Sequence, residues 1–67
     1  MNIRIIGAAT QEDVLNGIYD VDDDDNCETL AEGKRRARYL VTSTEDTFIG
    51  YAQVLKDGVC LADYFRK

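Results

Sequence analysis

The sequence predicts a small α+β domain in which a short antiparallel sheet, ordered ββαββ with three or four strands, carries one main helix packed on it. Three observations support this: an isoleucine-rich opening, a helical period of apolar residues behind two capping signatures, and two β-rich runs that flank Asp57 and Gly58. At 67 residues the chain is read as a single domain spanning 1–67, close to the lower size at which one apolar core sustains a fold. The 45% apolar and 31% charged content is that of a globular protein rather than a disordered one.

Ile3, Ile5 and Ile6 around Arg4 predict a first strand at residues 2–7. Thr10 followed by Asp13 has capping-box spacing, and Val14, Leu15 and Ile18 supply an apolar side, so residues 8–17 hold either one helical turn or a wide loop. Ile18, Tyr19 and Val21 suit a second strand at residues 17–22. A three-stranded βααββ arrangement is the alternative. Asp25 with Glu28, and Thr29 with Glu32, both have capping-box spacing, so a helix begins within 26–29. Leu30, Ala37, Leu40 and Val41 recur near 3.6 residues and face the core. Gly33 within this helix costs about 1 kcal/mol relative to alanine, which favours a site where helix and sheet approach closely. Thr42, Ser43 and Thr44 end the helix. Residues 47–56 and 59–65 form a hairpin through Asp57 and Gly58, the pattern of a two-residue type I′ turn. An undisturbed ladder from that turn sets Leu55 opposite Cys60, Val54 opposite Leu61 and Tyr51 opposite Tyr64. One face then carries Ile49, Tyr51, Leu55, Cys60, Ala62 and Tyr64, and the other Phe48, Val54, Leu61 and Phe65.

Charge is distributed unevenly. Five of the six residues 20–25 are aspartates, and the following helix carries Lys34, Arg35, Arg36 and Arg38. Residues 1–32 hold nine acids and one base, a net −8; residues 33–67 hold four acids and seven bases, a net +3; the total is −5. Helix electrostatics explains one or two aspartates, since acids favour the positive end of the macrodipole by about 0.3–1 kcal/mol each. It explains five aspartates within six residues poorly, because neighbouring like charges repel and each further one adds less, so a solvated helix cap stands as the alternative to a functional role. The alternating aspartates fail the EF-hand test. Counting from Asp20, the glycine position holds Asp25 and the bidentate glutamate position Ala31; counting from Asp22, these positions hold Cys27 and Gly33. No metal and no cofactor is expected. The functional expectation is a carboxylate surface, Asp20, Asp22, Asp23, Asp24 and Asp25 extended by Glu28 and Glu32, that competes with phosphates for a basic surface of a nucleic-acid-binding protein.

Direct nucleic-acid binding through the basic helix is disfavoured, because residues 34–38 span more than one turn and fan out instead of forming a stripe. Ion pairing with the acidic segment or with a partner's acids is expected instead. Enzymatic activity is not expected. The chain contains no histidine; Cys27 and Cys60 belong to no metal or redox motif; the glycines form no phosphate-binding loop. Both cysteines are expected to be free thiols. Of Tyr19, Tyr39, Tyr51 and Tyr64, at least two are expected in the core. With no signal-like or membrane-length apolar run, the chain reads as cytoplasmic, without a membrane partner, and as a monomer or weak homodimer.

Glu28-Thr29-Leu30-Ala31-Glu32-Gly33-Lys34-Arg35-Arg36-Ala37, followed by a β-hairpin, resembles the small phage and mobile-element proteins that include anti-CRISPRs. The resemblance spans residues 28–65 together with size and acidity, and includes no diagnostic motif. It implies a non-enzymatic inhibitor in a bacterial host cell that imitates DNA and occupies the surface of a CRISPR effector. The competing expectation is a structural or assembly component of a phage or mobile element, docking through a partly apolar sheet face.

Overall fold

A computed structural model describes residues 3–24, 27–45 and 47–67. The elements are β1 (Ile3–Ala8), α1 (Gln11–Leu15), β2 (Val21–Asp24), α2 (Leu30–Thr42), β3 (Tyr51–Lys56) and β4 (Val59–Phe65). The four strands form one antiparallel sheet in the order β2-β1-β3-β4, with β2 and β4 at its edges. The α+β reading therefore holds. The two alternatives for the first half are both partly realised, because residues 11–15 are helical and a second strand still follows them.

The capping residues act where the sequence places them. Thr10 Oγ1 accepts from the Asp13 N–H at 3.1 Å, and Thr29 Oγ1 from the Glu32 N–H at 3.1 Å. The Glu32 carboxylate reaches back to the Glu28 N–H at 3.4 Å. The other candidate cap, Asp25, lies outside the described residues. At its far end α2 stops at Ser43, whose N–H donates to the Tyr39 carbonyl.

On one side of the sheet, α2 buries Gly33, Ala37 and Val41 against Ile3, Ile5, Ala52 and Val54, with Leu30, Leu40 and Tyr64 packed at the margin. Gly33 sets the helix–sheet distance: a Cβ there would come within 2.8 Å of Ile3 Cγ2 and 3.2 Å of Val54 Cγ1. The close approach expected from the sequence is therefore present. On the opposite side, α1 lays Val14 over Ile6, Ala8 and Tyr51. Tyr51 and Tyr64 are thus the core tyrosines, and Tyr19 and Tyr39 are exposed.

Two expectations need correction. The second strand starts four residues later and ends two residues later than 17–22, with Tyr19 outside it and three aspartates inside it. Aspartate is a poor strand former, but pairing with β1 sets Asp24 opposite Arg4 and places Val21 against the helix-side core, so tertiary contacts override local preference. The hairpin also departs from an undisturbed ladder. Its turn does have positive φ at both Asp57 (52°) and Gly58 (83°), and Leu55 does face Cys60. Next to that pair a bulge inserts one extra residue in β4, so Val54 faces Ala62 and Tyr51 faces Phe65. Beyond the bulge every β4 side chain changes face: Ala62 and Tyr64 join the α2 side, and Asp63 and Phe65 join Tyr51 on the α1 side. Phe48 and Ile49 precede β3 rather than lying in it.

Candidate interaction surface

The aspartate segment becomes an edge strand, and its pleat separates the carboxylates. Asp22 and Asp24 pair with Ile6 and Arg4 and project to the α1 side, whereas Asp23 pairs with Ile5 and projects to the α2 side. Arg4 donates from Nε to Asp22 Oδ1 at 2.8 Å and from Nη2 to Asp22 Oδ2 at 2.7 Å, a bidentate pair. This hydrogen bonding holds the Asp22 carboxyl below the usual carboxylate range and pushes the Arg4 guanidinium above its ordinary value. Arg4 also lies 5.6 Å from the Tyr19 ring centroid. On the other side, Arg36 bridges Asp23 at 3.4 Å and Glu32 at 3.3 Å, so the basic helix does pair with the acidic segment.

The described members of the expected site therefore do not share one face, since Asp23 projects opposite to Asp22 and Asp24. Asp22, Asp23 and Glu32 have arginine partners within the chain. Asp20, Asp24 and Glu28 are exposed, and Asp25 lies outside the described residues. Among the described residues no three cysteine, aspartate or glutamate side chains converge as a metal cluster.

The fold nevertheless divides charge unevenly between the faces. The α1 side carries Glu12, Asp13, Asp22, Asp24 and Asp63, with Arg4 among them; the α2 side carries Lys34, Arg35, Arg36 and Arg38, with Asp23 and Glu32 paired to Arg36. Asp63 is an acid the sequence reading left out, since only the bulge turns it to this face. Its carboxylate accepts from Tyr51 Oη at 2.9 Å, and Tyr51 Oη accepts from Gln53 Nε2 at 2.8 Å. Burial, the main cause, pushes the Tyr51 phenol above its ordinary value. Exposed apolar side chains share this face: Leu15 and Ile18 at and after α1, and Leu61 and Phe65 along β4. Carboxylates and exposed apolar groups thus occur together on one side of the sheet.

One helix about 10 Å wide cannot cover four strands spaced about 4.8 Å apart, so a groove remains on each side of α2. The groove toward β2, about 240 Å³, is lined by Ile5, Val21, Tyr39 and Leu40 with the ion pair of Asp23 and Arg36. The groove toward β4, about 600 Å³, lies beside Arg38, Val41, Tyr64 and Arg66. Cys27 is buried in the helix-side core and Cys60 is exposed on β4, both as free thiols. Cover by surrounding atoms pushes both thiols above their ordinary value and so away from the nucleophilic thiolate. Among the described residues no helix is long and apolar enough to cross a membrane.

A further residue escaped the sequence reading altogether. Arg66 donates to three main-chain carbonyls, Ile49 O at 2.7 Å, Leu40 O at 2.8 Å and Ser43 O at 2.9 Å. It ties the end of the hairpin to the last turn of α2 and places a cation at the negative end of a helix that has no base of its own there. Compared with family models, with curated proteins and with solved structures, the chain finds no match.

Proposed function

We propose that this chain is a non-enzymatic binding protein that occupies a basic, nucleic-acid-handling surface of another protein, with its carboxylates in the place of phosphates. A CRISPR effector is the class of target that the resemblance of residues 28–65 implies. The observation that supports the reading is the gathering of acids on the α1 side of the sheet while the arginines and the lysine of α2 lie on the other. Such a division orients an encounter with a basic partner and keeps the basic helix away from it. Within that surface Asp24 is the principal contact, joined by the exposed Asp20 that immediately precedes β2. Asp22 is already satisfied by Arg4 and contributes less.

The exposed Leu15, Ile18, Leu61 and Phe65 favour a second reading, an assembly component that docks through the same face by apolar contact. A pull-down from bacterial lysate with tagged protein, washed at low and then moderate salt, separates the two. Phosphate mimicry predicts a nucleic-acid-binding complex retained at low salt and lost at moderate salt, with capture abolished by Asp20→Lys combined with Asp24→Lys. Capture that resists salt and survives the double reversal would overturn mimicry in favour of apolar docking.

A further inference from the structure

The sheet has two edges of very different chemistry. β2 is four residues long and holds three aspartates, a composition that repels a copy of itself. β4 is seven residues long, has Asp63 as its one charged residue, and has a strand neighbour on one side only among the described residues. Val59, Leu61 and Phe65 on it are all about half exposed or more, at 60%, 47% and 56%. A long apolar edge with unpaired main-chain groups is a template for a further strand.

We propose that β4 pairs antiparallel with β4 of a second copy of this chain, joining two four-stranded sheets across a two-fold axis. Charge complementarity selects the occupant and the register. The turn residue Asp57 and the tail residue Lys67 lie at opposite ends of the strand, while the Arg66 guanidinium is held by the carbonyls of Ile49, Leu40 and Ser43. An antiparallel copy therefore brings each Asp57 toward the other copy's Lys67, twice per dimer. Centring the axis on Ala62 achieves this and sets Asp63 opposite Leu61 of the mate. Centring it on Asp63 would face two carboxylates across the axis. The bulge supports the Ala62 register. Cys60 and Leu61 stand together where an undisturbed strand has one residue, so Tyr64, on the α2 side, meets Val59 of the mate on the same side. Val59, 60% exposed in the single chain, thereby gains an apolar neighbour. The pairing leaves β2 free and is independent of the function proposed above.

Sedimentation equilibrium of the full chain over a wide concentration range tests the pairing. A monomer–dimer equilibrium is expected, and Leu61→Lys, an edge lysine, is expected to abolish it while far-ultraviolet circular dichroism stays that of the parent. Lys67→Glu, outside the sheet, is expected to weaken association about tenfold, and adding Asp57→Asn to recover most of that loss by removing the new repulsion. A monomer at every concentration overturns the proposal. So does a dimer that neither Leu61→Lys nor Lys67→Glu weakens, since it would use another surface.

Discussion

The two faces of the sheet are stabilised by different means. The α2 side is built from small and branched apolar residues in direct contact, so its geometry is set by shape. Gly33, Ala37 and Val41 leave no room between helix and strands. The α1 side is built around polar side chains with apolar bodies. Tyr51 is almost wholly covered, yet its hydroxyl is held by Gln53 and Asp63, and Arg4 is fixed by Asp22 and Tyr19. A five-residue helix covers only part of that side. The first face therefore tolerates little change in volume, and the second tolerates little change in hydrogen bonding. The face with fewer packing constraints is the one that leaves acids and apolar groups available to a partner.

The largest effect is expected where shape dominates. Gly33→Val drives two branches into Ile3 and Val54 and should cost about 3 kcal/mol, read as a lower urea midpoint with little change in slope. Gly33→Ala should cost less, because the gain in helix propensity of about 1 kcal/mol offsets part of the strain. An alanine variant as stable as the parent would show that α2 can lift from the sheet without penalty and would remove the contrast between the faces.

Arg66 tests the junction between α2 and the hairpin. Arg66→Ala leaves three carbonyls without this donor and should cost about 2 kcal/mol. Arg66→Lys should rescue little, because one ammonium cannot reproduce a planar fork that reaches three separate acceptors. Full rescue by lysine in thermal unfolding would mean that charge at the helix end matters and the geometry does not.

These residues also show how far the sequence could be read. The caps at Thr10 and Thr29, the helix-side residues from Leu30 to Val41 and the turn at Asp57 and Gly58 are local signals. Each is decided by neighbours within four residues, and each appears in the structure as expected. The features that were missed are non-local. The strand of aspartates depends on β1, with Arg4 eighteen residues before Asp22. Arg66 finds its acceptors 17, 23 and 26 residues back along the chain. The bulge at Cys60 and Leu61 has no glycine to announce it, and it alone decides that Asp63 and Phe65 belong to the acidic face. The candidate surface was therefore legible as a composition, five aspartates in six residues. It was not legible as an arrangement, because partners distant in sequence decide which carboxylates remain available.

On the α1 side the expected effects are smaller and depend on pH. The buried Tyr51 phenol has a folded pKa above its unfolded value near 10, so its neutral form is favoured in the fold. The stability this contributes is fully present below the unfolded pKa and is lost as pH rises through the folded one. Tyr51→Phe should cost about 1 kcal/mol at neutral pH through the lost hydrogen bonds. It should also flatten the fall in melting temperature above about pH 10. An alkaline limb identical in the variant would assign the transition to another group.

The smallest expected effect lies at the acidic edge, and it runs in the opposite direction. The Arg4 hydrogen bond holds the Asp22 carboxyl below its unfolded value, so the stability it contributes is present above that value, near pH 4, and is lost as pH falls through the lower folded one. Asp22→Asn should therefore leave stability at neutral pH nearly unchanged, since both partners are largely solvated. It should remove part of the acid limb. The same variant separates the structural use of this carboxylate from an interaction role. With Asp22 engaged by Arg4, its replacement should weaken capture of a basic partner less than Asp24→Asn does, even though the two residues project from the same face of one strand. Equal losses in a side-by-side binding titration would show that Arg4 releases Asp22 on binding, and that the pair is opened by the partner rather than reserved for the fold.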